Sequence, residues 1–260
     1  MLLQNLRWPD LAGLAGRIFV VPLGSLEQHG PHLPLFTDSL IIGHVASRVE
    51  QLHSEKIVLL PVQWLGHSPH HRHFGSVSLD LIPYMGMISG ICRSLVEMGA
   101  RKILLLNGHG GNDIPCRAAQ RELKSEFESL RDLYIVYATY WNLAAERFGQ
   151  IRSSPAGGMG HACEMETSVL LAKNPELVDM SKAKHGGPSP ESGYRHTDML
   201  KPPPFSLINE FDEISQNGVI GTPELASVVK GEQFLDAAVT GVTALLAEMR
   251  GWQFQEKRAK

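Results

Sequence analysis

The sequence contains little cysteine and no long hydrophobic run. Its 260 residues include only three cysteines, Cys92, Cys116 and Cys163, and none of them forms a C-x-x-C pair. Sparse cysteines without such spacing argue against a disulfide framework and against a thiolate zinc site. The longest apolar stretches, such as Ile57–Val62, are far shorter than the roughly 20 residues that span a bilayer. We therefore expect reduced thiols and no transmembrane segment.

The chain also lacks an excess of positive charge and an apolar leader. It has 24 Lys and Arg against 27 Asp and Glu, so a nucleic-acid partner is not expected. The N-terminus has no basic segment followed by a sustained apolar region, which predicts a cytoplasmic protein without a signal peptide. With 43% hydrophobic residues, the chain is typical of a single globular domain spanning residues 1–260.

Short apolar runs alternate with helical patterns along the chain. This alternation indicates an α/β protein with a mainly parallel sheet, because such strands are buried on both faces. The Gly- and Pro-rich stretch Lys184–Pro204 is interpreted as a long loop, either a lid or an oligomer contact. The predicted strands are Ile18–Leu23, Ile57–Val62, Lys102–Leu106 and Leu133–Tyr140, and the predicted helices begin at Asp38 or cover Leu81–Met98, Pro115–Leu130, Glu164–Ala172 and Pro223–Met249.

The richest residue type for chemistry is histidine, of which there are 12. Glu27 and His29 follow the first predicted strand two positions apart, so in an extended backbone both side chains project from one face. Asp38 follows closely, and its carboxylate could bridge two cations. The alternative interpretation is a solvated loop for the Glu27–His29 pair and a plain helix N-cap for Asp38.

Two further motifs carry candidate site residues. His109 lies in Asn107-Gly-His-Gly-Gly-Asn112, directly after a predicted buried strand, where glycines let the backbone approach a ligand. In His161-Ala-Cys-Glu-Met-Glu-Thr-Ser168, Glu164 is a candidate metal ligand and His161 a candidate acid or base. The alternative is that these acidic residues only stabilise the first turn of a helix.

Imidazole and carboxylate ligands without cysteine suit zinc, manganese or ferrous iron. Two such ions sharing a carboxylate would lower the pKa of a water and polarise a substrate carbonyl, which is the chemistry of amide hydrolysis. A general acid is then needed for the departing nitrogen, and His161 suits that task.

The order and content of three motifs resemble the creatininase (creatinine amidohydrolase) family. They are Pro22-Leu-Gly-Ser-Leu-Glu-Gln-His-Gly-Pro-His-Leu-Pro-Leu-Phe-Thr-Asp38, the loop Asn107–Asn112 and the segment His161–Ser168. The resemblance implies a three-layer α/β/α sandwich, two divalent ions per subunit, a small-molecule substrate and a homo-oligomer, commonly a hexamer.

The resemblance also implies the residue roles. One ion would be held by Glu27, Asp38 and His109, and the other by His29, Asp38 and a second carboxylate. In creatininase that carboxylate lies two residues after the loop histidine, where this chain has Gly111. We expect Glu164 to take its place. His161 matches the proposed catalytic histidine, and Glu166, Asn107 and Asn112 are expected to support the ligands rather than bind metal.

The substrate side of the site departs from creatininase. Trp141 matches one substrate-side tryptophan, but the second is replaced by the stretch Ala156–Gly158. Together with Gly111, this argues against creatinine as the substrate. His70, His71 and Arg72 occupy the segment where the family varies its pocket, and they either contact substrate or form a hydrated surface loop.

The sequence thus predicts a metal-dependent hydrolase that cleaves an amide, cyclic amide or formamide bond of a small molecule. The resemblance leaves a peptidase or a deformylase of cofactor biosynthesis as alternatives within the family. Gly111 motivates an alternative of another class, a catalytically silent metal-binding scaffold.

Overall fold

A central sheet of four parallel strands organises the protein in this computed structural model, which describes residues 1–187, 197–201 and 204–253. The strand order is β2-β1-β3-β4. Ile18 pairs with both Ile57 and Lys102, so β1 lies inside the sheet. The strands are β1 (Ile18–Leu23), β2 (Ile57–Leu59), β3 (Lys102–Asn107), β4 (Tyr134–Thr139), β5 (Met159–His161) and β6 (Ile220–Gly221), and the helices are α1 (Thr37–His53), α2 (Leu81–Glu97), α3 (Asp113–Glu126), α4 (Tyr140–Leu143), α5 (Ala145–Ile151), α6 (Glu164–Lys173) and α7 (Val228–Gly251).

Helices cover both faces of the sheet and form two apolar cores. Alternate side chains of β1 point to opposite faces, as the strand geometry requires. Val20 packs with residues of α1, α6 and α7 on one face. Phe19 and Val21 pack with residues of α2 and α3 on the other. This arrangement confirms the predicted α/β fold with three layers.

The strand order creates a crevice between β1 and β3. From β1 the chain passes through α1 to β2 on one side, and from β2 through α2 to β3 on the other side of β1. Connections that diverge from neighbouring parallel strands leave a cleft at their carboxyl ends, where ligands bind in open α/β sheets. Here that edge is marked by the pairing of Leu23 with Asn107.

A second, two-stranded sheet lies beyond the central one. In it Met159 of β5 pairs antiparallel with Gly221 of β6. The backbone N–H of Met199 donates to the Met159 carbonyl oxygen at 2.7 Å, which fixes the segment 197–200 along β5. Neither β5 and β6 nor the short helices α4 and α5 were predicted, because elements of two to seven residues carry too little periodicity.

Several predicted boundaries shift by a few residues. The second strand ends at Leu59, and the last helix begins at Val228 after a short 3₁₀ turn at Pro223–Leu225. Most of the predicted loop Lys184–Pro204 lies outside the described residues, which include only 184–187, 197–201 and 204 of it. Among the helices of the described residues, none combines the length and apolar character needed to cross a membrane.

Candidate metal centre

The candidate ligands gather at the carboxyl ends of β1 and β3. Glu27 follows β1, and its N–H donates to the Leu35 carbonyl oxygen at 2.9 Å. The Gly108 N–H donates to the Leu23 carbonyl oxygen at 2.8 Å, which brings His109 of the next loop beside the end of β1. The structure thereby brings Glu27, Asp38 and His109 together although 82 residues separate the first from the last.

Asp38 lies at the middle of this group, in the first turn of α1. Its Oδ1 is 3.0 Å from His29 Nε2, and its Oδ2 is 3.0 Å from His109 Nδ1. The Ser25 hydroxyl donates to Oδ2 at 2.8 Å. One carboxylate therefore faces two imidazoles, one through each oxygen, as a carboxylate shared by two cations would.

Three histidines are fixed in the same manner, each through the ring nitrogen that points away from the carboxylates. A carbonyl oxygen can only accept a hydrogen bond, so the nitrogen facing it carries the hydrogen and the opposite nitrogen presents a lone pair. Histidine ligands of metals usually have this support. The three contacts are His29 Nδ1 to the Glu27 carbonyl oxygen at 3.1 Å, His109 Nε2 to the His67 carbonyl oxygen at 3.1 Å, and His161 Nε2 to the Gln28 carbonyl oxygen at 2.7 Å.

The Glu27 carboxylate is the most unusual group of the centre. The side chain is fully buried, and neither oxygen has a hydrogen-bond partner among the described residues. Imidazole nitrogens of His109 and His71 lie 3.1 and 3.2 Å from Oε1, but without hydrogen-bond geometry. Burying an ionised carboxylate without a hydrogen bond costs on the order of several kcal/mol of folding free energy, unless a cation balances its charge. Glu27 therefore fits a metal ligand.

The charges of the centre favour a bound cation. Burial lowers the pKa of His29, but the neighbouring Asp38 carboxylate outweighs this and raises that pKa to about 9. Burial raises the pKa of Asp38, but His29 and His109 hold it well below its ordinary value. At His161, burial and then His29 keep the pKa well below its ordinary value, so its imidazole is neutral. The Asp38 carboxylate thus remains ionised beside positively charged imidazoles, and a bound metal ion would take the place of their protons.

The structure corrects the expected position of Glu164. Its carboxylate faces away from the centre, where it accepts hydrogen bonds from the Ser153 and Ser154 N–H groups at 2.9 and 2.8 Å and pairs with Lys230 Nζ at 2.6 Å. Glu166 faces the centre instead, with Oε1 3.8 Å from His29 Nε2. Ligand atoms of His29, His161 and Glu166 lie within 4.8 Å of one another.

The strained backbone of Ala162 helps to orient the side chains of His161 and Glu166. Ala162 connects β5 to α6 with a φ of 50°, in the left-handed region that residues with a Cβ seldom adopt. It is fully buried. This turn lets His161 at the end of β5 and Glu166 in α6 reach the same centre.

The predicted pocket residues divide into two that line the centre and one that does not. His71 is buried and its Nδ1 lies 2.9 Å from the Gln28 amide nitrogen. His70 is half-buried and lines the same cavity. Arg72 points outward, with 64% of its side chain exposed and its Nε donating to the Pro69 carbonyl oxygen. Arg72 therefore does not contact the cavity.

The Asn107 and Asn112 amides shape the loop that carries His109. Asn107 Oδ1 accepts from the His109 N–H at 3.2 Å, and its amide donates to the His109 carbonyl oxygen at 2.7 Å. Asn112 links the end of β1 to the next segment, donating to the Gly24 carbonyl oxygen and accepting from the His67 N–H. Both asparagines therefore hold the loop that carries His109 in place.

A cavity of about 200 Å³ opens onto these residues, and three apolar side chains add to its lining. Trp141, the predicted substrate-side residue, is one of them. Phe211 was not predicted, yet it covers the histidines with ring centroids 3.8 Å from His71 and 4.7 Å from His161. Met199 was also missed. Both come from irregular segments far along the chain, and no local pattern in the sequence indicates them.

The donor set fits hard or borderline divalent ions. It combines carboxylate oxygens with imidazole nitrogens that present lone pairs and includes no thiolate, which suits zinc, manganese or ferrous iron. The orphaned Glu27 oxygens and the divided Asp38 carboxylate both agree with ions in this space. Residues Glu27, Asp38 and His109 could hold one ion, and residues His29, Asp38 and Glu166 another.

Several known proteins are similar to this chain over most of its length. The creatinine amidohydrolase of Pseudomonas putida is 28% identical over 247 residues, which cover 89% of each chain. The mycofactocin precursor peptide peptidase of Mycobacterium tuberculosis is 32% identical over 235 residues, which cover 85% of this chain and 80% of that one. A solved structure called Creatininase Mn is 26% identical with a TM-score of 0.78, covering 95% of this chain and 97% of that one.

A solved structure of creatinine amidohydrolase (creatininase) shares the fold with a TM-score of 0.81 at 24% identity, covering 97% of this chain and 98% of that one. The family model for creatinine amidohydrolase matches residues 4–246, which is nearly the whole described chain. The chain therefore belongs to the creatinine amidohydrolase (creatininase) family.

Proposed function

We propose that this protein hydrolyses an amide-type C–N bond of a small molecule with two divalent metal ions. Glu27, Asp38 and His109 hold the first ion, and His29, Asp38 and Glu166 hold the second. The observation that carries the proposal is Asp38, whose two oxygens lie 3.0 Å from the ligand nitrogens of two different histidines. Two ions sharing this carboxylate would polarise a substrate carbonyl and lower the pKa of a water molecule.

His161 moves the proton in this proposal. Hydrolysis takes a proton from the attacking water as its oxygen bonds to the carbonyl carbon, and it delivers a proton to the nitrogen when the C–N bond breaks. The Nε2–H of His161 is held by the Gln28 carbonyl oxygen, so Nδ1 presents its lone pair to the centre. In this role the neutral ring accepts the first proton on Nδ1 and then donates it to the departing nitrogen.

Cavity size and lining support a small substrate. About 200 Å³ is less than the roughly 300–1,000 Å³ of pockets for drug-sized ligands, so the cavity takes a small molecule or the end of a larger one. Trp141, Met199 and Phe211 provide apolar surface beside the polar centre. A flat amide, cyclic amide or formamide group fits this combination. Creatinine itself is not favoured, because Gly111 and the stretch Ala156–Gly158 stand where creatininase has a carboxylate and a second tryptophan.

Cleavage at the end of a peptide is the second candidate. The 32% identity to the mycobacterial peptidase is higher than the 28% to the Pseudomonas amidohydrolase. A third relative, a formylaminopyrimidine monophosphate deformylase of Methanobrevibacter smithii, is 27% identical. The substrate panel for this protein should therefore hold cyclic amides, N-formyl compounds and short peptides.

The decisive variant is Asp38→Asn, with Asp113→Asn as its matched control. Both aspartates lie in the first turn of a helix, but Asp113 pairs with Arg117 at the surface. We expect two metal equivalents per chain in the wild type and in Asp113→Asn. Asp38→Asn should bind both ions about 100-fold more weakly or worse and lose turnover, because both ions lose a ligand.

Elemental analysis and the substrate panel check this expectation. Full metal content in Asp38→Asn would contradict the shared ligand, and turnover by chelator-treated protein would contradict a metal-dependent reaction. Two bound ions without turnover of any panel compound would favour the alternative of a silent metal-binding scaffold. Assembly as a homo-oligomer and a cytoplasmic location stay predictions, of which light scattering on the purified protein tests the first.

A further inference from the structure

Position 111 has no room for a side chain. A Cβ atom on Gly111 would lie 2.1 Å from the His67 carbonyl oxygen, 2.5 Å from His109 Nε2 and 2.8 Å from His70 Cε1. Real Cβ atoms do not approach other atoms so closely, so any substitution would displace the backbone of the neighbouring segment. The space beside His109 is therefore occupied by the segment His67–His71, and this segment must supply any further donor there.

The segment His67–His71 is held firmly against the His109 loop. The His67 N–H donates to Asn112 Oδ1 at 3.0 Å, and the Ser68 N–H donates to Ser78 Oγ at 2.7 Å. The Ser68 hydroxyl oxygen lies 3.1 Å from His109 Nε2. A short 3₁₀ turn, Pro69–His71, completes the segment. These contacts argue against a freely hydrated surface loop.

His70 is the residue of this segment that points a free donor at the centre. Its ring lies nearly parallel to that of His109, with 5.8 Å between centroids and 11° between planes. Neither of its nitrogens has a hydrogen-bond partner in the part of the chain that the structure describes. One ligand atom each from Glu27, His70 and His109 lie within 4.8 Å of one another.

The adjacent His71 differs from His70 because contacts of its ring determine which nitrogen carries the hydrogen. The Gln28 amide is oriented by two backbone groups, since Oε1 accepts from the Gly30 N–H and Nε2 donates to the Gly218 carbonyl oxygen. The remaining Gln28 N–H donates to His71 Nδ1, which leaves the His71 hydrogen on Nε2, facing Glu27. A nitrogen that carries a hydrogen cannot bind metal, so His71 is not a ligand in this tautomer.

We propose that His70 is a ligand of the ion held by Glu27 and His109, so that the segment His67–His71 supplies an imidazole beside the loop in which position 111 carries no side chain. This inference rests on the proposed metal centre and adds a ligand to it. It gives the first ion an additional imidazole and leaves the second ion, at His29 and Glu166, unchanged.

Metal titration of His70→Ala tests the proposal, with His73→Ala as the matched control. His73 lies in the same loop but has 55% of its side chain exposed, facing Asp212. Metal-free protein is titrated with Zn²⁺ against a chromophoric chelator, and with Co²⁺ while its visible absorption is recorded. In His70→Ala we expect one equivalent to bind about 100-fold more weakly or worse, since losing only a partner of a ligand costs roughly 10- to 100-fold.

The second equivalent in His70→Ala and both equivalents in His73→Ala should match the wild type. His70→Asp, which restores a metal-binding oxygen, should recover most of the lost affinity with a changed Co²⁺ spectrum. If His70→Ala does not fold, His70→Gln takes its place, because it keeps a polar side chain at this half-buried position.

Unchanged affinities and an unchanged Co²⁺ spectrum in the His70 variant would overturn the proposal, including the case in which only KM for substrate rises. The proposed function fails separately, if the wild type itself takes up fewer than two ions. In that case, the affinity of the His70 variant for the ion that the wild type still binds decides whether His70 is a ligand.

Discussion

Two glutamates two positions apart in α6 face different parts of the protein. Glu164 is fully buried and ties the start of α7 to the segment after α5 through Lys230 and the Ser153 and Ser154 N–H groups. Glu166 faces His29 and the metal centre, where burial raises its pKa to about 7. The first glutamate therefore stabilises the fold, and the second is available to a cation.

Glu164→Gln and Glu166→Gln should accordingly have opposite effects. Glu164→Gln weakens charge-assisted hydrogen bonds and should lower the free energy of unfolding by about 2 kcal/mol without changing the metal content. Glu166→Gln should lose the second ion while its metal-free form stays as stable as the wild type or gains stability, since it removes a buried acidic group. Urea unfolding and elemental analysis of the pair separate the two roles.

Loss of metal from Glu164→Gln with full occupancy of Glu166→Gln would reverse the assignment. The sequence analysis placed both glutamates in one motif and chose Glu164 as the ligand, but the spacing of the two residues does not determine which one faces the centre. Residues two apart on a helix point in different directions, and which one faces the centre depends on how α6 docks. That docking involves Lys230, which lies 66 residues further along the chain and has no pattern linking it to the motif.

At the scale of elements, close backbone contact sets the position of α1. Gly24 directly follows β1 beside the first turn of α1, and a Cβ atom there would lie 2.3 Å from Ser39 Oγ and 2.8 Å from Ser39 Cα. Ser39 follows Asp38 directly, and its hydroxyl donates to the Ser25 carbonyl oxygen at 2.8 Å. The first turn of α1 therefore keeps Asp38 in the centre only while position 24 has no side chain.

Gly24→Ala should push α1 away from the sheet. We expect a loss of about 1–3 kcal/mol in stability, typical of an overpacked site, together with weaker binding of both ions. Gly43→Ala in the same helix is the control, because its Cβ would meet only Val62 Cγ2 at an ordinary 3.6 Å and alanine favours the helix by up to ~1 kcal/mol. Equal metal affinity in the two variants, measured by Zn²⁺ titration, would contradict this account.

The sequence predicted the central elements because their signals are local. Six consecutive buried residues in β1, and an apolar β3 that leads into a glycine loop, identify strands whose ends carry polar side chains. Parallel strands then bring those ends together. The pair β5–β6 has three and two residues, and its alignment depends on Met159 meeting Gly221 across 62 residues of chain, which no local pattern encodes.

At the scale of the whole molecule, the centre makes the fold sensitive to acid, because several histidines are buried as neutral rings. His32 is one that lies outside the ligand set. Its Nε2 contacts the Thr167 hydroxyl at 2.9 Å, and burial and then His29 lower its pKa to about 4. Between pH 6.5 and about 4, the unfolded chain binds a proton at this residue that the folded chain does not.

Stability should therefore fall as the pH is lowered through this window, and His32 accounts for up to ~1.4 kcal/mol per pH unit of the slope. His32→Gln, which can still bond to Thr167, should make the slope shallower by that amount between pH 6.5 and about 4. Above this window the two slopes should coincide, which serves as an internal control. Urea unfolding of metal-free protein measures both, and identical slopes throughout would contradict the burial of a neutral His32.

The carbonyl oxygens that hold His29, His109 and His161 belong to the main chain. A point mutation replaces a side chain, but it cannot delete a carbonyl group. Substitutions at the residues that bear these carbonyl groups should therefore have little effect on the orientation of the three imidazoles. Substitutions that impair metal binding should therefore concentrate at the proposed ligands themselves and at glycines such as Gly24 and Gly111.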